Sequence, residues 1–210
     1  MTEINIEDIF ETNNYGDFKI ISESDRRRGR MKCYDIQFLD TGSIRKGICR
    51  TEILKGEVKD YYRPSIAGVG YLGEGIQQKD YKYEYSVWKH MLHRCYNKNS
   101  DSYDKYGAFG VTVCKRWHCF KNFVEDIPKI DGYDEKLFKD RKIQLDKDLK
   151  CNSFPKEYSL STCTFLSAQD NLSISKIQKK YNVSKFKIGN ICYKNREEGV
   201  ADESKIGICN

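Results

Sequence analysis

The sequence predicts a mixed α+β protein: a small antiparallel β unit of SH3-like size, then a strand–strand–helix unit, then C-terminal helices. Three observations carry this. After Tyr15, runs of β-branched and aromatic residues alternate with polar ones and are separated by turns rich in Gly and Asp. Apolar residues from Tyr85 to Cys95 recur at helical spacing. Residues 142–173 read as a short apolar strand ending in Asp146, Lys147 and Asp148, a loop punctuated by Pro155, a second strand YSLSTCTFL, and a helical run opened by Asn171.

The composition sets the bounds on this reading. A chain of 210 residues suits one or two small domains, and 39% apolar with 32% charged residues describes a globular chain with a thick solvated surface rather than a disordered one. Lys and Arg exceed Asp and Glu by 37 to 31, a net charge of +6, which favours a polyanionic partner only mildly. The interleaving of Tyr with Lys in KDYKYEY suits a nucleic-acid surface and equally suits tyrosines at sheet edges. The nine cysteines form no close CxxC pair and follow no apolar leader or transmembrane run, so free thiols in a reducing cytosol are expected. A zinc site from Cys95, Cys114, Cys119 and a nearby histidine would fit knuckle spacing loosely, and the same cysteines are explained as core; zinc is not expected.

In chain order, residues 1–14 read as an acidic tail with at most one helical turn. Residues 15–63 form the β unit, with strands at FKIIS, MKCYDIQFLDTGS and IRKGICRTEILKGEVKD and a charged turn ESDRRRGR between the first two. That turn places Arg26, Arg27, Arg28 and Arg30 at a hairpin tip, enough charge in one place to contact phosphate. Residues 64–80, with Pro64 and repeated glycines, mark a boundary or a segment lying close against another backbone.

A helix then carries Tyr85, Trp88, Met91, Leu92 and Cys95 as its core face, with His90, His93 and Arg94 largely off it. After a turn, Val111 and Val113 continue a short strand, and Trp117, Phe120, Phe123, Val124 and Ile127 make a second helical stripe ended by Pro128. Lys115, Arg116 and Lys121 lie on its polar side, where they would clamp a phosphate or face solvent. At the C-terminus, Ile177, Tyr181, Val183, Ile188 and Ile191 fall where a helix-turn-helix buries apolar residues, with Asn182 at the turn and Ser184 as N-cap. That places Lys185, Phe186, Lys187 and Asn190 toward a major groove; a simple amphipathic helical pair has the same pattern.

The series YSVWKHMLHRCY, YDKYGAFGVTVCKRWHCFKNFVEDI, LDKDL and YSLSTCTF followed by Asn171 resembles a group of bacteriophage proteins related to the HNH, or ββα-metal, endonucleases. The pieces FLDTGS, LKGEVKD and AGVGYLGEG resemble the region that commonly precedes this unit, and the tail resembles the helix-turn-helix of phage homing endonucleases. The resemblance implies an HNH-like ββα-metal domain over residues 81–173 and a helix-turn-helix-like segment over 174–210. Carried across by position, it implies that Asp146 is the first metal ligand, Lys147 stands at the general base, Thr162 at the structural Asn, and Asn171 at the metal ligand on the helix. The implied catalytic set is Asp146, Lys147 and Asn171, with one Mg²⁺ or Mn²⁺ held by Asp146 and Asn171.

Two of these positions depart from the type. A neutral imidazole takes a proton from water near neutral pH, and an ammonium does not. Carboxylates on both sides of Lys147 favour the ammonium. The expectations are therefore a cation-dependent endonuclease acting on double-stranded DNA with another base (Asp148, His118 or bulk hydroxide), or a degenerate HNH fold that binds nucleic acid or a host defence protein without cutting. A module of phage counter-defence that binds another protein is a third expectation. Each implies the cytoplasm of an infected bacterium and no membrane.

Overall fold

The computed structural model describes residues 3–150 and 155–181. The chain divides into two compact units, Met1–Ser65 with Tyr71–Glu74 and Ile66–Gly70 with Gly75–Asn210. The architecture is mixed α+β, with an N-terminal antiparallel sheet of four strands and helices confined mainly to the second unit.

In the first unit, β1 (Ile9–Glu11), β2 (Asp17–Arg28), β3 (Met31–Phe38) and β4 (Ile44–Cys49) pair in sequential order. Alternation decides which face is buried: Phe18 and Ile20 of β2 and Tyr34, Ile36 and Phe38 of β3 point into a core closed by Ile4, Ile48, Ile53 and Val58. Phe18 meets Phe38 edge to face at 5.8 Å. One carboxylate is buried beside this core: Asp60 accepts hydrogen bonds from the hydroxyls of Thr41 and Ser43 and from the Tyr62 amide, which offsets its desolvation.

Three details differ from the sequence reading. Ile9–Glu11, expected within an acidic tail, is a strand on the edge of the sheet, and Ile4 reaches the core. The charged run ESDRRR is not a loop. It prolongs β2 to Arg28, so only Gly29 and Arg30 make the turn to β3. After β4 the chain forms a short helix, α1 (Arg50–Leu54), in place of further strand; the Glu52 carboxylate accepts from the Cys49 amide and closes its first turn.

The second unit is built on α2 (Lys82–Tyr96), whose buried face is Trp88, Met91, Leu92 and Cys95. Part of the glycine-rich connector lies on this helix. A Cβ on Gly70 would stand 2.4 Å from Leu92 Cδ1 and 3.0 Å from the Trp88 ring, so only glycine passes there. The second aromatic stripe does not form one continuous helix. A 3-10 turn Lys115–His118 precedes α3 (Phe120–Asp126), and Pro128 falls in a further 3-10 turn Ile127–Lys129. The break lets Trp117 receive the Trp88 indole N–H on its carbonyl at 2.7 Å while its own ring packs edge to face on Phe123.

Beyond α4 (Glu135–Lys139), β6 (Ile143–Asp146) pairs antiparallel with β8 (Thr164–Ser167). The expected second strand YSLSTCTFL is interrupted. Only its first residue, Tyr158, belongs to β7 (Glu157–Tyr158), which pairs in parallel with β5 (Thr112–Val113), and a turn intervenes before β8. α5 (Ala168–Tyr181) follows β8 with no loop between them, capped by Ser167, whose hydroxyl accepts from the Asp170 amide at 3.0 Å and donates to its carboxylate at 2.6 Å. Asn171 therefore lies within the first turn of α5 rather than opening it.

No helix among the described residues is long and apolar enough to cross a membrane. Residues 182–210, with most of the expected helix-turn-helix and with Lys185, Lys187 and Asn190, lie outside the described residues.

Truncating the fully buried Phe18 to Ala is expected to cost about 3–5 kcal/mol, read as a lower denaturant midpoint with little change in slope.

Candidate functional site

The end of β6 gathers the chemistry. Asp146 is 7% exposed and sits opposite Thr164 in the hairpin register. Its Oδ1 accepts the amides of Asp148 at 2.8 Å and Leu149 at 2.9 Å, so the carboxylate turns the chain as the strand ends. Asn171 follows from the helix that leaves the partner strand, half-buried, with its backbone carbonyl taken by the Ser175 hydroxyl at 2.8 Å.

Lys147 behaves differently from the position it occupies by resemblance. The residue is 5% exposed, and Nζ donates to Asp148 Oδ1 at 2.9 Å. The same ammonium lies 4.8 Å from the ring centre of Tyr106 and 5.4 Å from that of Tyr158. An amine enclosed by two rings and a carboxylate is part of the scaffold.

Asp148, in turn, is shared. Lys156 Nζ reaches its Oδ1 at 2.6 Å. Burial by itself would push the Asp148 carboxyl up, but the hydrogen bonds and charges of Lys156 and Lys147 outweigh it and hold the group below its ordinary value. A carboxylate engaged by two ammonium groups is a poor general base, which removes the second candidate.

The third, His118, is tied as well. Its Nε2 lies 3.1 Å from the Val113 carbonyl and 3.3 Å from the Tyr96 hydroxyl, which makes that nitrogen the donor to the carbonyl. Thr162, at the structural-Asn position, performs local work: its hydroxyl accepts from the Ser159 amide at 3.0 Å and donates to the Glu157 carbonyl at 2.6 Å, closing the turn before β8.

Two residues not singled out from sequence stand beside this cluster. The Arg94 guanidinium lies 5.1 Å from both the Tyr106 and the Tyr158 ring centres, on the same two rings as Lys147, and its buried Nε has no hydrogen-bond partner among the described residues. One turn earlier, His90 Nδ1 donates to the Ser86 carbonyl at 2.7 Å, which leaves Nε2 as the acceptor of the neutral ring. Both residues line a cleft of about 260 Å³ between α2 and β6, together with Tyr83, Gln144 and Phe165. The signal in the sequence was the i, i+4 spacing of His90 and Arg94, which the apolar stripe beside them concealed.

The expected cations sort into committed and uncommitted ones. Arg116 spends its fork on Asp126, with Nε at 2.7 Å and Nη2 at 3.1 Å. The fold thereby engages its guanidinium, while half of the side chain stays exposed, a commitment the sequence pattern does not show. Asp126, 2% exposed, also accepts from the Trp117 indole and from Lys129. Its burial would raise the carboxyl, but these donors outweigh it and bring it down to about 2. Lys115 is exposed and makes no ion pair among the described residues. Arg26, Arg27 and Arg28 extend along the end of β2, and Arg30 occupies the turn, all exposed.

As to metals, no group of three or more His, Cys, Asp or Glu among the described residues is placed to hold an ion. Cys95 and Cys163 are core thiols pushed up by burial, to about 11 and about 12. Comparison with known families, with curated proteins and with solved structures found no match to this chain.

Two outcomes follow from these contacts. Because the folded Asp126 carboxyl lies below its ordinary value near 3.8, its stabilisation is complete above that pH and is lost as pH falls toward about 2. Asp126→Asn should flatten the acid limb of the stability profile across that interval, measured by denaturant titration. Lys147→Met should lower stability by about 1.5–3 kcal/mol through loss of a buried charge-assisted hydrogen bond, whereas Lys115→Met should change it by less than about 0.5 kcal/mol.

Proposed function

We propose that the chain is a phage-type, HNH-like DNA-binding protein that hydrolyses phosphodiester bonds with the help of a divalent cation. The observation that carries this reading is the order of elements around Asp146: a strand ending in a carboxylate, an antiparallel partner strand, and a helix that leaves the partner without a loop and carries an amide in its first turn. A carboxylate and an amide are hard oxygen donors, the kind Mg²⁺ and Mn²⁺ accept while keeping several waters. Asp146 and Asn171 would hold that ion, which when bound would supply charge neutralisation at the leaving oxygen.

Within this reading Lys147 holds the hairpin end in place and does not move a proton. His90, whose Nδ1 donates to the Ser86 carbonyl, lines the cleft beside β6 and in this reading joins His118 as a candidate base. Double-stranded DNA is the substrate in this reading, in the cytoplasm of an infected host, and Lys115, Arg26 and Arg28 are the cations available to its backbone.

One observation favours a second reading. Asp146 Oδ1 and the Lys147 ammonium are both used by the fold, which is also what a degenerate HNH scaffold that binds nucleic acid or a host defence protein without cutting would retain. Purified protein on supercoiled DNA with Mg²⁺ or Mn²⁺ separates the two. The endonuclease reading expects nicking that Asp146→Ala lowers by about 100-fold or more, with the fold verified by circular dichroism. DNA retention without nicking under either ion supports the binding-only reading.

A further inference from the structure

The first unit carries a concavity that the sequence does not announce. Its volume is about 390 Å³, and its lining includes Arg26, Arg27 and Arg28 from the end of β2 and Arg45 and Lys46 from β4, with Glu52 at the edge. In the sheet β2 and β4 are separated by β3, so side chains from their charged ends meet only if the sheet curls. Two irregularities bring this about. The β2–β3 register shifts between Ser24 and Arg27, and the β3–β4 register shifts between Tyr34 and Ile36, where Lys46 and Gly47 bulge opposite Asp35. Gly47 has φ +67°, its amide donates to Asp35 Oδ1 at 2.9 Å, and a Cβ there would stand 2.7 Å from Arg26 Cδ. The glycine thus lets the Arg26 side chain lie across β4.

The charges in this concavity are unequal in role. Arg27 pairs with Glu23 at 2.8 Å. Arg45 is fixed by stacking 4.5 Å from the Tyr61 ring centre, by donation to the Lys59 carbonyl at 2.7 Å and by Glu74 at 3.9 Å. Glu52 is engaged with the Cys49 amide. Arg26, Arg28 and Lys46 have no acidic partner among the described residues. Three uncompensated cations held by a curled sheet form an anion site. No aromatic ring lines it, so it has no platform on which a base could stack.

We infer that this concavity is a seat for the phosphodiester backbone of duplex nucleic acid, engaged without regard to sequence through Arg26, Arg28 and Lys46 while Arg27 and Arg45 hold its walls. It rests on the nucleic-acid part of the reading above and is independent of cleavage.

The test measures binding of the full chain to random-sequence duplex DNA in EDTA, so that no cut enters the readout, over a range of salt. Each phosphate neutralised contributes about 0.9 to the slope of log affinity against log salt. Arg26→Gln/Arg28→Gln/Lys46→Gln, all at exposed positions, should reduce that slope by about 2.7. Gly47→Ala, which leaves the charge unchanged, should weaken binding by displacing Arg26. A slope in the triple variant within about 0.5 of the unsubstituted protein's overturns the proposal. So does tripolyphosphate binding more tightly than the duplex, since the seat would then take a free oligophosphate. If the unsubstituted protein nicks DNA and the triple variant keeps its slope, the seat fails and the nuclease reading stands. If nothing is nicked and the slope falls, the seat stands alone.

Discussion

The second unit depends on one carboxylate shared between two ammonium groups. Asp148 is approached by Lys147 from the residue before it and by Lys156 from across the turn, at 2.9 and 2.6 Å. Asp148 is half-buried and Lys147 buried, and a charge placed as Lys147 is persists only when its partners are close and its remaining surroundings favour charge. The rings of Tyr106 and Tyr158 meet the second condition by offering their faces to Lys147 and to Arg94. Tyr158 belongs to β7, which pairs with β5, and Tyr106 precedes β5, so the charge cluster also fixes where the parallel ladder meets the β6–β8 hairpin. Strand pairing, turn geometry and charge placement are here one constraint.

That constraint explains how a residue type can mislead. A lysine between two aspartates reads locally as an ammonium at a strand end, and its burial is set by rings 41 residues before it and 11 after it in the chain. No local pattern carries this information. Arg116 gives the same lesson in a milder form: a cation beside an aromatic stripe looks available for phosphate, and its fork is spent on an aspartate ten residues on. Charge counted along a sequence overstates the charge a partner meets, and only pairing geometry gives the difference.

Much of the fold was nevertheless legible. The 3.6-residue recurrence of Trp88, Met91, Leu92 and Cys95 identified the buried face of α2, because a long amphipathic helix repeats its signal. The β6 strand and the helix containing Asn171 were legible from a short apolar run and a helical run after the second strand, but the helix begins at Ala168 rather than at Asn171. β1 was not, since Ile9–Glu11 is too short and too acidic to show alternation and owes its existence to pairing with β2. Nor was the length of β2, where arginines outside the core follow a strand ladder that propensity alone does not favour. Of the residues expected at the site, Asp146 falls at the end of β6 and Asn171 in the first turn of α5, while the surroundings of Arg94 and His90 depend on tertiary neighbours.

The direct join of Ser167 to Ala168 makes the last strand and the helix a single stiff member. The Ser167 hydroxyl and the Asp170 carboxylate and amide close on each other across that join. One unbroken run of backbone therefore carries the residue paired with Asp146, the residue paired with Ile143 and the first turn of the helix that holds Asn171.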